Sequence, residues 1–214
     1  TGLYLDALVR GTDFAAGSQD TPLRRHLQER LRREGAETLL EELRRVDPDS
    51  AARLHLRDEK RILRALEVYQ ATGETITLHD RRTQAQPPRY EGVFIGLSFK
   101  DRQDLRDRID CRVDDMVARG LLDEVRSLLQ SGLPRTATAW QAIGYKQFLA
   151  VADGRMTEAE AVAEGKLRSR QYAKRQLTWL RRNEAIHWIL WDKVPDFPSG
   201  LQNATKFLTS SGVC

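Results

Sequence analysis

Apolar residues return at helical spacing along most of this chain, and turn-forming residues mark the breaks. Leu3 to Val9 reads as an amphipathic helix ending near Gly11, followed by a small-residue loop from Thr12 to Ser18. Asp20-Thr21-Pro22 opens the next helix, because a proline in the first turn gives up a donor that would be unpaired there anyway. Leu23, Leu27 and Leu31 keep one face of it apolar, and Gly35 stops it. A further helix from Ala36 to Val46 is closed by Asp47-Pro48, and a short one follows around Asp49 to Leu54. Asp58 is placed to cap a helix from Glu59 to Thr72, whose Ile62, Leu63, Leu66 and Val68-Tyr69 form an apolar face and which Gly73 ends. The polar stretch through Pro87-Pro88 reads as a linker.

Beyond it the period changes. Val93 to Leu97 is short, β-branched and bounded by turn residues, so it predicts a strand. Asp101 then caps a long predicted helix from Arg102 to about Ser131, with Gly132 as its end. Thr138 to Ala152 predicts another helix, Thr157 to about Asn183 a long one, and Ile186 to Trp191 a second strand before a tail without signal. The chain therefore reads as predominantly α with one or two strands. Two strands so far apart in sequence do not make a stable sheet alone, so the pattern implies a sheet completed elsewhere. The start at Thr1, without leader or cap, fits a chain cut from a longer one.

The 214 residues suit one domain or one and a half, and 40% hydrophobic content supplies a core. No run approaches the ~20 apolar residues of a spanning helix, so membrane classes are set aside, and two cysteines without metal or CxxC spacing suggest a reduced cytoplasm. The four histidines, His26, His55, His79 and His187, are too scattered for a local zinc signature. A net charge of +4 hides an uneven distribution. Cations cluster at Arg24-Arg25, Arg30-Arg32-Arg33, Arg44-Arg45, Lys60-Arg61-Arg64 and from Lys166 to Arg182, a pattern suited to a polyanion.

The Lys166–Arg182 stretch holds seven basic residues and no acidic one. At 100° per residue, Tyr172, Ala173, Leu177, Trp179 and Leu180 share one arc and most cations the other, which favours phosphate binding over an ordinary solvated face. Around Lys60, Arg61 and Arg64 a salt-bridged surface helix and a nucleic-acid contact are equally open, because Glu59 and Glu67 could neutralise the cations. Arg108 and Arg112, one turn apart among Asp104, Asp107, Asp110, Asp114 and Asp115, read first as ion-paired. Asp114-Asp115 lacks the third aspartate of an isoprenoid-synthase magnesium motif, since Ala118 stands at that place. Neither G-x-x-x-x-G-K-[ST] nor G-x-G-x-x-G occurs.

Six stretches in order, Thr1 to Tyr4, Asp58 to Tyr69, Arg108 to Met116, Gly120 to Val125, Ala142 to Lys146 and Arg170 to Trp179, resemble the tRNA dimethylallyltransferase (isopentenyltransferase) family. The resemblance implies a partial P-loop α/β core carrying a helical insertion domain, with residues 1–17 a core segment, 18–90 the tRNA-binding insertion and 91–214 the rest of the core. It implies transfer of a dimethylallyl group from dimethylallyl diphosphate to N6 of the adenine at tRNA position 37, beside the anticodon, with Mg2+ in the intact and monomeric enzyme. An aspartate base and the phosphate loop of the nucleotide-binding core would precede Thr1, so the 214 residues alone are expected to be inactive.

By position, Thr1 matches the threonine beside the target base, and Arg24, Lys60, Arg61, Ile62, Leu63 and Arg64 match tRNA-contacting segments. Gln141, Ala142, Ile143, Gly144, Tyr145 and Lys146 match another such segment. Arg108 and Arg112 match a helix facing the diphosphate, while Arg170, Lys174 and Arg175 carry a motif with a phosphate or structural role. Arg57 and Ser169 depart from the Asn and Thr common in the family, which leaves tRNA contacts adjustable. Two other readings stay open: a non-catalytic helical RNA-binding module, and an adenylate isopentenyltransferase, which the long basic insertion disfavours.

Overall fold

The structure, a computed structural model, describes residues 2–11 and 21–212. The chain divides into two compact units, residues 3–92 and residues 93–214, the second also taking Gly2. The fold is mostly helical with two parallel strands. The predicted loop from Thr12 to Ser18 lies outside the described residues.

Helix α1 spans Gly2–Arg10, in the first unit from Leu3 onward, and α2 spans Pro22–Val46. Thr21 caps α2 by accepting from the Arg24 amide at 3.1 Å. The break expected at Gly35 is present inside this span: Gly35 takes non-helical φ +84° and ψ 163°, and a second helical stretch resumes directly beyond it. Short α3, Pro48–Ala52, leads to α4, Glu59–Thr72, ended by left-handed Gly73. Asp58 does not cap α4 with its side chain, contrary to expectation. Its carboxylate instead accepts from the His55 amide at 3.0 Å, closing the turn before the helix.

The polar stretch expected to be all linker contains α5, Ile76–Ala85. Thr75 caps α5 by accepting from Leu78 N at 3.2 Å, a signal masked by the β-branched Ile76 and Thr77. Leu27, Leu39 and Leu43 of α2 and Ile62 and Leu66 of α4 are fully buried together, forming this unit's core. Asp47 joins three elements beside it. It ends α2, and its carboxylate accepts from Ser50 N at 3.0 Å, Thr77 N at 3.1 Å and Thr77 Oγ1 at 2.7 Å. Burial works to raise the Asp47 carboxyl, but the Thr77 and Ser50 hydrogen bonds, with Arg53 nearby, outweigh it and hold the pKa below the ordinary value. The amides of Arg89 and Tyr90 both donate to the Val9 carbonyl, at 2.7 and 3.2 Å.

The second unit begins with β1, Phe94–Phe99, which pairs in parallel with β2, Ile186–Trp191, from Phe94↔Ile186 to Phe99↔Trp191. The two expected strands therefore pair with each other, and the helices between them form the crossover that a parallel pair requires. Gly96 is needed in this pair, because an added Cβ would lie 2.8 Å from both Ile186 Cγ2 and Trp188 Cε3.

The single helix expected from Arg102 to Ser131 is two, α6 (Arg102–Ala118) and α7 (Leu121–Gln130), divided where Gly120 adopts φ +91°. The predicted Thr138–Ala152 helix is likewise a 3-10 turn, Thr138–Gln141, and then α8, Tyr145–Ala152. Thr157 caps α9, Glu158–Leu180, with Glu160 closing a reciprocal capping box. The supposedly featureless tail carries α10, Phe197–Ser210, where Gly200 sits against the Trp191 ring and leaves no room for a Cβ. Leu121, Val125, Trp140, Phe148 and Ala161 form the core of this unit, and Phe148 is 1% exposed.

Candidate nucleic-acid interface

In the first unit, the run from Lys60 to Arg64 occupies the first half of α4. Ile62 and Leu63 are 0% and 5% exposed and belong to the core, so the expected contact role falls to Lys60 and Arg61, both exposed, and half-buried Arg64. Glu59 takes neither cation, whereas Arg61 lies 3.9 Å from Asp58. Arg64 donates through Nη1 to Glu67 Oε2 at 3.1 Å, and Arg24, from the start of α2, donates through its own Nη1 to the same oxygen at 2.7 Å. The structure thus brings Arg24 and Arg64 together on one buried carboxylate. Glu67 lies one helical turn beyond Leu63, a charged residue on an otherwise apolar face. Other cations of the basic clusters are neutralised locally: Arg30 by Glu34 and Glu42, Arg33 by Glu34, and Arg44 by Glu41.

In the second unit, the segment Gln141 to Lys146 is a tight turn ahead of α8. Gly144 is buried at φ +100°, ψ −70°, backbone that only glycine adopts without strain. Its amide donates to the buried Gln147 Oε1 at 2.9 Å, which fixes the turn. Gln141, Ala142 and Lys146 are exposed around it, while Ile143 is half-buried. The Tyr145 hydroxyl donates to Glu124, and that hydrogen bond, with some burial, raises the phenol pKa. Tyr145 also packs against the core, so its ring braces the turn.

The arc expected along the basic helix needs correction. The buried row of α9 starts at Ala161 and Gly165, where α6 approaches closely through Val113. Tyr172, assigned to the apolar arc, is 39% exposed, with the Arg175 guanidinium 5.9 Å from its ring centroid. The first cations of the helix are committed: Lys166 to Asp114 at 2.7 Å, Arg168 to Glu164 at 2.6 Å, and Arg170 to Asp110 at 2.5 Å. Arg170 therefore staples α9 to α6. Among the described residues, Lys174, Arg175, Arg181 and Arg182 have no carboxylate within 4.0 Å.

A groove of about 530 Å³ runs between α6 and α9, lined by apolar Leu105, Ile109 and Leu177 together with Arg102, Arg106, Lys174 and Arg181. The basic helix supplied Lys174 and Arg181 to the sequence reading, but Arg102 and Arg106 went unnoticed, because their convergence depends on how two helices 60 residues apart, as Asp110 and Arg170 are, lie against each other. Arg108 and Arg112 do not line this groove, and among the described residues the ion pairs expected of them do not form. Asp110 and Asp114 are drawn to α9 instead, and Asp107 accepts from Gln103. Both arginines are exposed, one turn apart.

Thr1 lies outside the described residues. Among the described residues no group of three or more His, Cys, Asp or Glu side chains is placed to hold a metal ion. Nor is any helix among them long and apolar enough to cross a membrane.

Exposed cations thus stand on both units, Lys60 and Arg61 on one and Arg108 and Arg112 on the other. The family model described as IPP transferase matches residues 1–183, and the chain belongs to that family. It is 36% identical over 213 residues to the tRNA dimethylallyltransferase of Acetivibrio thermocellus, covering 100% of this chain and 68% of that protein. With tRNA dimethylallyltransferase 1 of Trichlorobacter lovleyi it shares 46% identity over 191 residues, 89% of this chain and 62% of the relative. Its fold is similar to that of the full-length tRNA isopentenylpyrophosphate transferase of Bacillus halodurans, with a TM-score of 0.62 and 35% identity over 98% of this chain and 64% of the other. The chain thus spans about two-thirds of the length of the relatives it matches.

Proposed function

We propose that these residues belong to a tRNA dimethylallyltransferase, which moves a dimethylallyl group from dimethylallyl diphosphate to N6 of adenine 37. The observation that carries this reading is family membership across residues 1–183, joined to relatives named for that activity. In the reaction the amine nitrogen forms a bond to the first carbon of the prenyl group. The carbon–oxygen bond to diphosphate breaks, pyrophosphate leaves with the electron pair, and a base takes the amine proton.

Within this chain the Thr1 hydroxyl orients the amine. Arg24, Lys60, Arg61 and Arg64 hold RNA phosphates, and the Gln141–Lys146 turn brings backbone close to the anticodon loop. Exposed Arg108 and Arg112 suit the leaving diphosphate, where positive charge stabilises developing negative charge. Lys174 and Arg175 serve phosphate binding, and Arg170 has the structural role its Asp110 bond gives it.

The test uses an anticodon stem-loop RNA with dimethylallyl diphosphate, followed by nucleoside mass spectrometry. Prenylated adenosine is expected from a protein that joins these residues to a phosphate loop, and none from the 214 residues alone, which contain no such motif. Combined replacement of Lys60, Arg61 and Arg64 by Ala is expected to weaken stem-loop binding on the order of 100-fold near 0.1 M salt, through lost phosphate contacts. Unchanged binding removes the RNA role of α4.

A further inference from the structure

Arg24 and Arg64 come from different helices, 43 and 3 residues before the carboxylate that holds them both. Glu67 is 4% exposed at its side chain, whereas Arg24 and Arg64 are 22% and 36% exposed. Oxygen Oε2 accepts from both guanidinium groups, and Oε1 takes the Thr21 hydroxyl at 3.5 Å. Thr21 is also the cap of α2, so helix start, carboxylate and both arginines form one connected cluster. A carboxylate this buried persists only when paired and hydrogen-bonded, and two arginines against one glutamate leave the cluster one positive charge in excess.

Each arginine spends Nη1 on Glu67, and among the described residues Nε and Nη2 of both have no protein partner. An unrestrained arginine loses rotamer freedom when it grips a ligand, and a fork already fixed loses less. A phosphodiester is the anion this arrangement suits, because its oxygens accept from planar forks and carry one negative charge.

We infer that Glu67 is a positioning residue: it holds Arg24 and Arg64 as a pre-set pair that binds an RNA phosphodiester. This rests on the RNA-binding reading above. The inference opposes simple electrostatics. A negative charge beside the site repels phosphate, so neutralising Glu67 strengthens RNA binding if the residue only damps the charge, and weakens it if the residue sets the geometry.

Glu67→Gln keeps shape and removes charge. Affinity for an anticodon stem-loop RNA, measured with the chain across several salt concentrations, is expected to fall about 5- to 10-fold, with a shallower salt dependence by about one phosphate contact. The Arg24→Ala/Arg64→Ala pair is expected to lose at least as much, and adding Glu67→Gln to it to change nothing further. Equal or tighter binding by a folded Glu67→Gln protein, with an unchanged salt slope, overturns the inference.

Circular dichroism and thermal unfolding report whether that variant folds. Where it does not, Arg24→Lys/Arg64→Lys decides the matter, since it keeps both charges and loses both forks. About 5-fold weaker binding supports the proposal, and wild-type affinity overturns it. Loss of binding on Lys60→Ala/Arg61→Ala, with Glu67→Gln neutral, leaves the RNA reading standing and this inference fallen. A wild-type chain that ignores the stem-loop overturns both.

Discussion

In the helical unit a carboxylate 4% exposed gathers arginines from α2 and α4, whereas in the second unit α9 meets α6 through Asp110 and Asp114, which are 30% and 54% exposed. The chemistry is the same in both places, and only the solvent differs. Water competes weakly for a buried acceptor, so Glu67 can dictate where its arginines sit, and strongly for an exposed one, so Asp114 can do little more than accompany Lys166. The contrast teaches that a basic cluster read from sequence says nothing about which cations are held in place and which are free.

Removing acceptors in order of burial tests that contrast. Glu67→Ala is expected to cost the most, about 3 kcal/mol in urea unfolding, because two half-buried arginines lose their shared partner. Asp47→Asn comes next, at about 2 kcal/mol at neutral pH, since one of the backbone amides of Ser50 and Thr77 then faces a side-chain NH2 that cannot accept. Its pH dependence has a definite sign. The folded Asp47 pKa lies below its unfolded value, so the stabilisation is complete above about pH 4 and disappears as pH falls through the folded value. The gap between wild type and Asp47→Asn should therefore close in acid unfolding series, and a constant gap breaks the argument.

Asp110→Ala, which frees Arg170 from α6, should cost about 1 kcal/mol, and Asp114→Ala no more than about 0.5 kcal/mol. If Asp114→Ala destabilises as much as Glu67→Ala, burial is not what separates the two regions.

Much of the fold was legible because apolar spacing and caps are local. β2 was read with both ends right, and Thr157 announced α9. Errors fell where a glycine inside an apolar run changes direction without interrupting the pattern, as Gly120 and Gly144 do at φ +91° and +100°. They also fell where β-branched or sparse apolar residues hid α5 and α10. In the candidate interface the cations themselves were visible, and so was Glu67 as a local partner for Arg64, but the partners reached across the fold were not. The bonds from Arg24 to Glu67 and from Arg170 to Asp110 cross 43 and 60 residues, so they depend on tertiary packing that no local window contains.

The Val9 carbonyl, shared by the amides of Arg89 and Tyr90, brings the outgoing and returning ends of the intervening segment to a single atom. A stretch anchored like that is a cassette. It can be shortened, enlarged or exchanged for another peptide with little loop-closure penalty, since its ends already meet. Residues 12–88 can then be exchanged between relatives as one block, and urea unfolding of such a hybrid, expected within about 1 kcal/mol of the parent, checks that the anchor suffices.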